Sequence, residues 1–275
     1  MNHKYDPGIG ATNALSLRVS VATLVRVLFN NPKDDELMLA LERRATLHQA
    51  DNGHVIEVKS QPFGGAIRIL DLMALRDLIG DFHFDSERSR SEQDFRIFIR
   101  PSDWETVREF CIQHFSCDND PILETDPARE LVEEFDDALK LKLKSDQYNY
   151  KPVGIVVEDF PAPTESIHAR GIPTARVYRI FESHISDASL AHGMMTNSES
   201  HSDQDLSKLA LEDAQNGGMG RANAILALPL KRISDVYLAA PPKERNAPIL
   251  FEENRLDETA AAVLEGITVP KYQRL

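Results

Sequence analysis

The sequence predicts an α+β fold, because strand-like and helix-like segments mix along the chain without the strict period of βαβ units. The chain has 275 residues, of which 42% are hydrophobic and 27% charged, an ordinary composition for a globular protein. Its length suits one domain with a sizeable insertion, and no internal repeat divides it. We therefore expect a single domain over residues 15–265, with a flexible arm over 1–14 and a tail over 266–275.

Short apolar runs rich in β-branched and aromatic residues predict the strands. The longest run, LRVSVATLVRVLF over residues 17–29, is mostly apolar and so predicts a buried strand. A turn over residues 30–35 leads into a returning strand, and the next strand leads into Gly64 and Gly65. The predicted strands cover residues 17–29, 36–43, 55–58, 95–99, 153–158, 176–181 and 225–230.

Apolar residues that repeat at helical spacing predict the helices. The segment Pro-Ser-Asp at 101–103 is a start signal for one of them, and the glycine pair at 217–218 ends another. Residues 186–205 are polar and rich in Ser, Asp and His, so we expect a mobile loop there. The predicted helices cover residues 70–78, 104–115, 126–144, 206–215 and 256–264.

The predicted helix over residues 126–144 has an apolar face and an acidic face. Asp126 can cap its start, and Pro127 suits its first turn. The carboxylates that share the acidic face are Glu130, Glu133, Glu134 and Asp137. Carboxylates held this close repel one another unless a cation lies among them, so the pattern predicts a divalent-cation site. The alternative is a solvated acidic face, which is the usual meaning of a charge run.

The net charge of −13 excludes some classes of partner. Sequence-independent binding to nucleic acid or to an anionic membrane needs a basic surface. This acidic composition therefore argues against both kinds of partner. No apolar run reaches the roughly 18 residues of a membrane helix, and the first residues carry no apolar signal core. Because Cys111 and Cys117 need no disulfide or catalytic role, we expect a reduced, cytoplasmic setting.

The order of these features resembles the Nudix hydrolase superfamily. Its motif is a glycine, five residues, a glutamate, seven residues and then R-E-U-x-E-E-x-G-U, where U is a bulky aliphatic residue. The residues that match its second half in type and spacing are Arg129, Glu130, Leu131, Glu133 and Glu134. Upstream, residues 61–65 (Gln-Pro-Phe-Gly-Gly) resemble the family's P-G-G turn, and the strands over 153–158 and 176–181 resemble those that follow the motif.

Three departures set this chain apart from the motif. Residues 66–123 stand between the Gly-Gly turn and the helix, where the family has a short loop. The family's leading glutamate would fall at Pro121, with Glu124 the nearest candidate, and Asp136 replaces its helix-ending glycine. This layout is similar to the SMODS-associated NUDIX family, which accompanies bacterial defence systems based on nucleotide second messengers. The resemblance implies a Nudix-like α/β/α sandwich with a mixed sheet, in which residues 66–123 form an inserted strand-plus-helix layer.

The resemblance also implies a chemistry. Nudix enzymes hydrolyse a nucleoside diphosphate linked to another group, and divalent ions neutralise the phosphates. Glu133 and Glu134 would then bind Mg²⁺ or Mn²⁺, and Glu130 would be a further ligand or the base. Arg129 would complete the catalytic set by holding Glu133 one helical turn away. The Gly64–Gly65 turn would contact the substrate.

A second interpretation of the same residues is a binding module that senses a nucleotide without cleaving it. The carboxylate trio favours the enzyme, whereas the missing leading glutamate, the replaced glycine and the long insertion favour the sensor. Either way the expected ligand is a nucleotide-type small molecule, and a homodimer or a defence-system partner protein stays open. Several arginines in or beside predicted strands could face its phosphates, although the sequence does not show which way they point. They are Arg68, Arg96, Arg100, Arg176 and Arg179.

Overall fold

The computed structural model describes residues 15–50, 53–117, 119–140, 143–164, 169–239, 249–257 and 259–268. Across these ranges the chain forms eight helices and one eleven-stranded sheet with both parallel and antiparallel pairs. The predicted combination of helices with a mixed sheet is therefore confirmed. The arm expected over residues 1–14 lies outside the described residues.

The elements are numbered in chain order. The strands are β1 (Leu17–Asn30), β2 (Leu37–Ala50), β3 (Gly53–Gln61), β4 (Phe63–Ala66), β5 (His83–Phe84), β6 (Arg96–Ile99), β7 (Tyr148–Pro163), β8 (Pro173–Ile185), β9 (Arg221–Pro229), β10 (Ile249–Phe251) and β11 (Asn254–Leu256). The helices are α1 (Leu72–Ile79), α2 (Glu87–Glu92), α3 (Trp104–Phe115), α4 (Ala128–Leu139), α5 (Ala188–Ser200), α6 (Asp203–Gln215), α7 (Leu230–Ala239) and α8 (Ala260–Thr268). Residues 266–268, expected in the tail, therefore belong to α8. Within the described ranges, none of these helices is long and apolar enough to cross a membrane.

Strand β1 lies at the centre of the sheet and has partners along both edges. On one edge it runs parallel to β8 from Arg18 to Phe29. On the other edge it meets three antiparallel strands in succession, first β6, then β4 and finally β2. Strand β2 joins β1 only from Val27 to Asn30 and pairs with β3 and β9 along its own length. Beyond this junction β1 pairs with β4 and β6 while β2 pairs with β3, and we call the space that residues of both strands line the wedge between β1 and β2.

Alternate residues of β1 face two different environments, as the pleat of a strand requires. Val19, Val21 and Val25 have no exposed surface and belong to apolar clusters of the core. The opposite face begins with Arg18 and Ser20, which line a polar cavity. The run that predicted a buried strand therefore has one apolar face and one partly polar face.

Residues 66–123 contain the expected strand and helices, and they extend the main sheet. Strand β6 pairs with β1, β5 pairs with β6, and α1 and α3 pack over the same end of the sheet. The two ends of the segment meet, because Ile69 bridges to Leu123. Next to this bridge, the Glu124 N–H donates to the Arg68 carbonyl at 2.9 Å. The insertion therefore leaves the sheet and returns to it at one place.

The expectation of a mobile loop over residues 186–205 is wrong, because α5 and the start of α6 occupy most of it. The polar residues that suggested a loop stabilise these helices instead. Asp187 caps α5 by accepting the Leu190 N–H at 2.7 Å. Asn197 and Ser198 accept backbone N–H groups of β9, so the side chains of α5 satisfy the free edge of that strand.

Helix α4 is shorter than the predicted helix over residues 126–144. Lys140 adopts a left-handed conformation with φ of 56°, which ends the helix after Leu139. The apolar face docks on the sheet through Phe135, whose ring stacks on Phe63 with centroids 4.8 Å apart. Because Phe63 belongs to β4, this contact brings the acidic helix against Gly64 and Gly65 of the same strand.

Candidate functional site

The expected turn at Gly64 and Gly65 is instead the middle of strand β4, and this strand is in direct contact with the acidic face of α4. The Gly64 N–H donates to Glu134 Oε2 at 2.6 Å, although the two residues are 70 positions apart in the chain. Gly64 has φ of +133°, and a Cβ there would lie 2.1 Å from the Thr23 carbonyl oxygen, so only glycine fits. A Cβ at Gly65 would lie 2.1 Å from Glu130 Oε2, so that carboxylate also approaches β4 closely. The structure thus brings four of the predicted site residues together.

Arg129 pairs with three glutamates around the start of α4. Its guanidinium lies 2.5 Å from Glu130, 2.9 Å from Glu124 and 3.4 Å from Glu133. Burial lowers the pKa of Arg129, but hydrogen bonding to Glu124 and the charges of the three carboxylates outweigh it and raise the pKa overall. The expected partner, Glu133, makes the longest of the three contacts. Arg129 therefore holds Glu124 and Glu130 more closely than Glu133.

The three carboxylates expected to bind Mg²⁺ or Mn²⁺ have different environments. The Glu133 side chain is 60% exposed beside Arg129, whereas Glu134 is buried with one oxygen on the Gly64 N–H. Within the described parts of the chain, no three His, Cys, Asp or Glu side chains form a group that could hold a metal ion. The observed arrangement of Glu130, Glu133 and Glu134 therefore does not fit a shared ion.

A buried acid pair that the sequence analysis missed lies behind β4. Glu42 has no exposed surface and accepts two hydrogen bonds from Arg44 Nη2, at 2.9 and 2.7 Å. The same nitrogen of Arg44 lies 3.8 Å from Glu134 Oε1. Burial, reinforced by the charge of Glu42, raises the pKa of Glu134 well above its ordinary value. The Arg44 guanidinium therefore lies between two buried carboxyl groups, and burial disfavours the ionised form of Glu134.

A cavity of about 400 Å³ opens in the wedge between β1 and β2, and Gly64 and Gly65 form part of its wall. Eight of its lining residues are Arg or Lys, and only three are Asp or Glu. The basic residues are Arg18, Arg44, Lys59, Arg88, Arg96, Arg176, Arg221 and Arg255. The acidic residues are Glu57, Asp85 and Asp257. A chain with a net charge of −13 has therefore gathered eight of its 31 Lys and Arg residues around one cavity.

Strand register explains how these bases converge. Ser20 on β1 pairs with Arg96 on β6 and with Arg176 on β8, so the three side chains share one face of the sheet. Each of the eight bases comes from a different strand or helix. No short motif could therefore have indicated the cavity, and only their placement beside predicted strands pointed to Arg96 and Arg176. The other three arginines noted in the sequence are held by ion pairs or by a backbone carbonyl elsewhere; they are Arg68, Arg100 and Arg179.

Arg18 is held at the cavity wall by a buried ion pair. Its Nε and Nη2 atoms donate to Asp85 Oδ2 at 2.9 and 2.6 Å, and the Ser89 hydroxyl donates to Asp85 Oδ1 at 2.7 Å. Burial raises the pKa of Asp85, but the hydrogen bonds from Ser89 and Arg18 outweigh it and hold the pKa below its ordinary value. Because Asp85 belongs to the inserted segment, the insertion fixes one of the basic groups of the cavity.

Gly64→Ala should destabilise the fold by about 3 kcal/mol, because the new Cβ would meet the Thr23 carbonyl oxygen and the positive φ strains an alanine. Gly65→Ala is the matched control, since its Cβ would meet only the end of the Glu130 side chain, which can turn away. Urea unfolding of both variants measures the difference. Equal losses of stability would contradict the close approach of Gly64 to β1.

Asp85→Asn should lower the free energy of unfolding at neutral pH by about 3 kcal/mol, because it leaves Arg18 buried without its counter-ion. Folding lowers the pKa of Asp85 below its ordinary value of 3.8, so the carboxylate stabilises the fold above that pH and ceases to do so as the pH falls through the folded pKa. The difference in unfolding free energy between variant and wild type should therefore narrow as the pH falls below 3.8. Urea unfolding over this pH range measures it.

The control for this experiment is Asp77→Asn, which removes an exposed carboxylate from α1. Its stability should follow the wild type within about 0.5 kcal/mol at neutral pH. A difference between Asp85→Asn and wild type that stays constant with pH would contradict the buried pair.

Comparison with protein-family models, with curated proteins and with solved structures finds no match for this chain. The resemblance to Nudix hydrolases therefore stays a prediction that depends on the motif residues. Support for a function comes instead from the chemistry of the basic cavity and of the acidic helix behind it.

Proposed function

We propose that this protein binds a phosphate-bearing small molecule of the nucleotide type in the basic cavity. The observation that carries the proposal is the excess of eight bases over three acids in the cavity wall. Seven of these bases also have a carboxylate partner within 4 Å, and Arg221 has none among the described residues. An anion with several oxygens would pair with Arg221 and with N–H groups that the carboxylates leave free. Arginine supplies seven of the eight bases, and its planar guanidinium matches two phosphate oxygens at once.

The size and the remaining wall of the cavity suit an organic phosphate. A volume of about 400 Å³ lies within the range of small-molecule sites. Ala22, Leu24 and Tyr178 form an apolar part of the wall, while Ser20 and Thr46 supply hydroxyl groups. This combination supports a ligand with a sugar or a base in addition to its phosphates.

The proposal also includes the cellular compartment and the biological role of the protein. We propose a cytoplasmic setting, since a reducing compartment would keep Cys111 and Cys117 as the free thiols that they are here. A role in bacterial nucleotide-signalling defence, as a homodimer or with a partner protein, follows only from the resemblance to the SMODS-associated NUDIX family.

ATP and ADP-ribose should raise the midpoint of thermal unfolding, because a ligand that binds only the folded state stabilises it. Lys59→Gln removes a charge from the cavity wall and should weaken ATP binding several-fold, measured by calorimetry. Lys231→Gln removes an equal charge from the exposed surface of α7 and should bind ATP as the wild type does. Loss of affinity in both variants alike, or in neither, would contradict binding in the cavity.

Hydrolysis of a diphosphate bond is the second candidate, and one contact favours it. Glu130, the first carboxylate of the R-E-L-x-E-E sequence, lies against Gly65, and Gly65 lines the cavity. A diphosphate bound there would be separated from this carboxylate by a single glycine. Because the carboxylates as arranged do not fit a shared metal ion, no metal-dependent step is assigned to them.

Incubation with ADP-ribose and Mg²⁺ or Mn²⁺, with the phosphate products quantified, tests this candidate. Glu133→Gln and Glu134→Gln should fold normally and abolish any cleavage together with any metal-dependent thermal shift. Asp137→Asn, an exposed change on the same helix, is the matched control and should retain both. Full activity in the double Glu→Gln variant would exclude this chemistry, and a wild type that binds ADP-ribose without turnover would favour the sensor.

A further inference from the structure

Arg221 differs from the other bases of the cavity in its lack of a carboxylate partner. The other seven bases each pair with an Asp or Glu, whereas Arg221 forms no ion pair with any residue that the structure describes. It is an exposed residue that also lines the cavity, so it can meet a ligand that enters from solvent. Within the described ranges, it is therefore the base of the wall whose charge is left for a ligand.

The register of β9 directs Arg221 into the cavity. Arg221 pairs with Thr46 of β2, and residues directly opposite each other on antiparallel strands place their side chains on one face. Thr46 lines the cavity, and Arg44 lies two residues earlier on the same face of β2. Burial, followed by the positive charges of Arg44 and of Arg88 on α2, lowers the pKa of Arg221. An anion beside Arg221 would therefore lie in the field of three guanidinium groups.

A hydrogen-bonded loop places the backbone of Arg221. The loop covers residues 216–220 (Asn-Gly-Gly-Met-Gly) and joins α6 to β9, which begins at Arg221. Asp213 Oδ2 accepts the Gly220 N–H at 2.9 Å and the Arg221 N–H at 3.2 Å. The backbone carbonyl of Asp213 accepts the Gly218 N–H at 2.8 Å. One residue of α6 therefore fixes both the middle and the end of the loop that leads to Arg221.

Gly220 lets the same loop lie directly against β2. Its φ is +67°, and a Cβ there would lie 2.8 Å from Leu47 Cβ, so a larger residue would force a shift. The Leu47 N–H donates to the Gly220 carbonyl at 2.9 Å, next to the residue that pairs with Arg221. The backbone of Arg221 is therefore held by α6 on one side and by β2 on the other.

Asp213 has an unfavourable position in its own helix. It is the third residue from the end of α6, where the helix dipole disfavours a carboxylate. The two N–H groups that it accepts from the start of the next strand offset this cost. The local effect of an acid at this position is therefore to fix Arg221.

We propose that Arg221 binds a phosphate group of the ligand and that Asp213 is a positioning residue, which holds the backbone of Arg221 so that its guanidinium meets that phosphate. The inference depends on the proposed function, because the ligand is the phosphate compound of the same cavity. It adds which of the eight bases supplies the principal contact. It also gives a role in binding to the described helix α6, none of whose residues lines the cavity.

Calorimetry with ATP on the wild type, two single variants and the double variant tests both roles. Arg221→Gln should weaken ATP binding about tenfold, because it removes a charged hydrogen-bond donor. Asp213→Ala should weaken it about fivefold, because Arg221 keeps its charge but loses its fixed position. In the Arg221→Gln background, Asp213→Ala should have no further effect on affinity. A merely structural role would instead add the same loss in both backgrounds, since Asp213 contacts only the backbone at position 221.

Three further measurements complete the test. Glu212→Ala removes a carboxylate from the neighbouring, exposed position of α6 and should leave the affinity for ATP unchanged. Asp213→Asn keeps the size of the side chain with a weaker acceptor, so it should give a smaller loss with the same dependence on Arg221. It replaces Asp213→Ala if circular dichroism shows that the alanine variant is unfolded. Inorganic triphosphate should displace ATP from the wild type and should also bind Arg221→Gln about tenfold more weakly.

The outcomes separate this inference from the proposed function. Equal losses from Asp213→Ala in the two backgrounds, or an equal loss from Glu212→Ala, would overturn the positioning role. If Arg221→Gln binds ATP or inorganic triphosphate as the wild type does, the phosphate contact is overturned, while a loss of ATP affinity in Lys59→Gln would keep the proposed function. If the wild type binds no ATP, the proposed function fails, and this inference fails with it.

Discussion

The functional features of this structure depend on how β1 is shared among its neighbours. One edge of β1 has a single long partner, β8, while the other edge passes from β6 to β4 to β2. If β2 had paired along the whole of β1, the sheet would have been continuous and the space between them closed. Because it pairs only at the far end, a wedge remains. Arg18 and Ser20 can therefore lie on a central strand without being buried in an apolar core, which would be costly for both.

The four-residue strand β4 connects the central strand β1 to the acidic helix α4 through its contacts with both. Its Gly64 packs against the Thr23 carbonyl and donates its N–H to Glu134, while Phe63 stacks on Phe135 of α4. One short strand thus holds the helix to the sheet by an apolar contact together with a hydrogen bond to the Glu134 carboxyl group. The backbone of β1 requires a glycine at position 64. This requirement would exist whether or not a ligand contacts the residue.

The predictable parts of this fold are those determined by local sequence. The helix over residues 104–115 and the strand over 95–99 agree with α3 and β6 to within one residue. Their periodicity is set by neighbours in the chain, so a single sequence is enough. Residues 186–205 were predicted wrongly because Asn197 and Ser198 accept hydrogen bonds from an edge strand that follows them in the chain.

The candidate site was less predictable still, because its contacts join residues that are far apart in the chain. The acidic face of α4 was visible because its residues are spaced by helical turns, yet the spacing does not say which carboxylate meets which partner. Glu134 is directed inward by the N–H of Gly64, 70 positions away, and Glu133 is left outside. The basic cavity was invisible because each of its bases comes from a separate element, and Arg18 meets Asp85 across 67 positions.

The acidic helix and the basic cavity are parts of one electrostatic arrangement. Glu42 holds Arg44 through a close ion pair, which reduces the repulsion between Arg44 and the other arginines of the cavity. The same distribution is what the proposed binding of an anion to a chain of net charge −13 requires. A long polyanion such as nucleic acid would meet the negative field of the whole protein, whereas a small phosphate compound can enter the cavity, where the positive field is concentrated. The small anionic ligand that we propose therefore agrees with both the charge of the surface and the charge of the cavity.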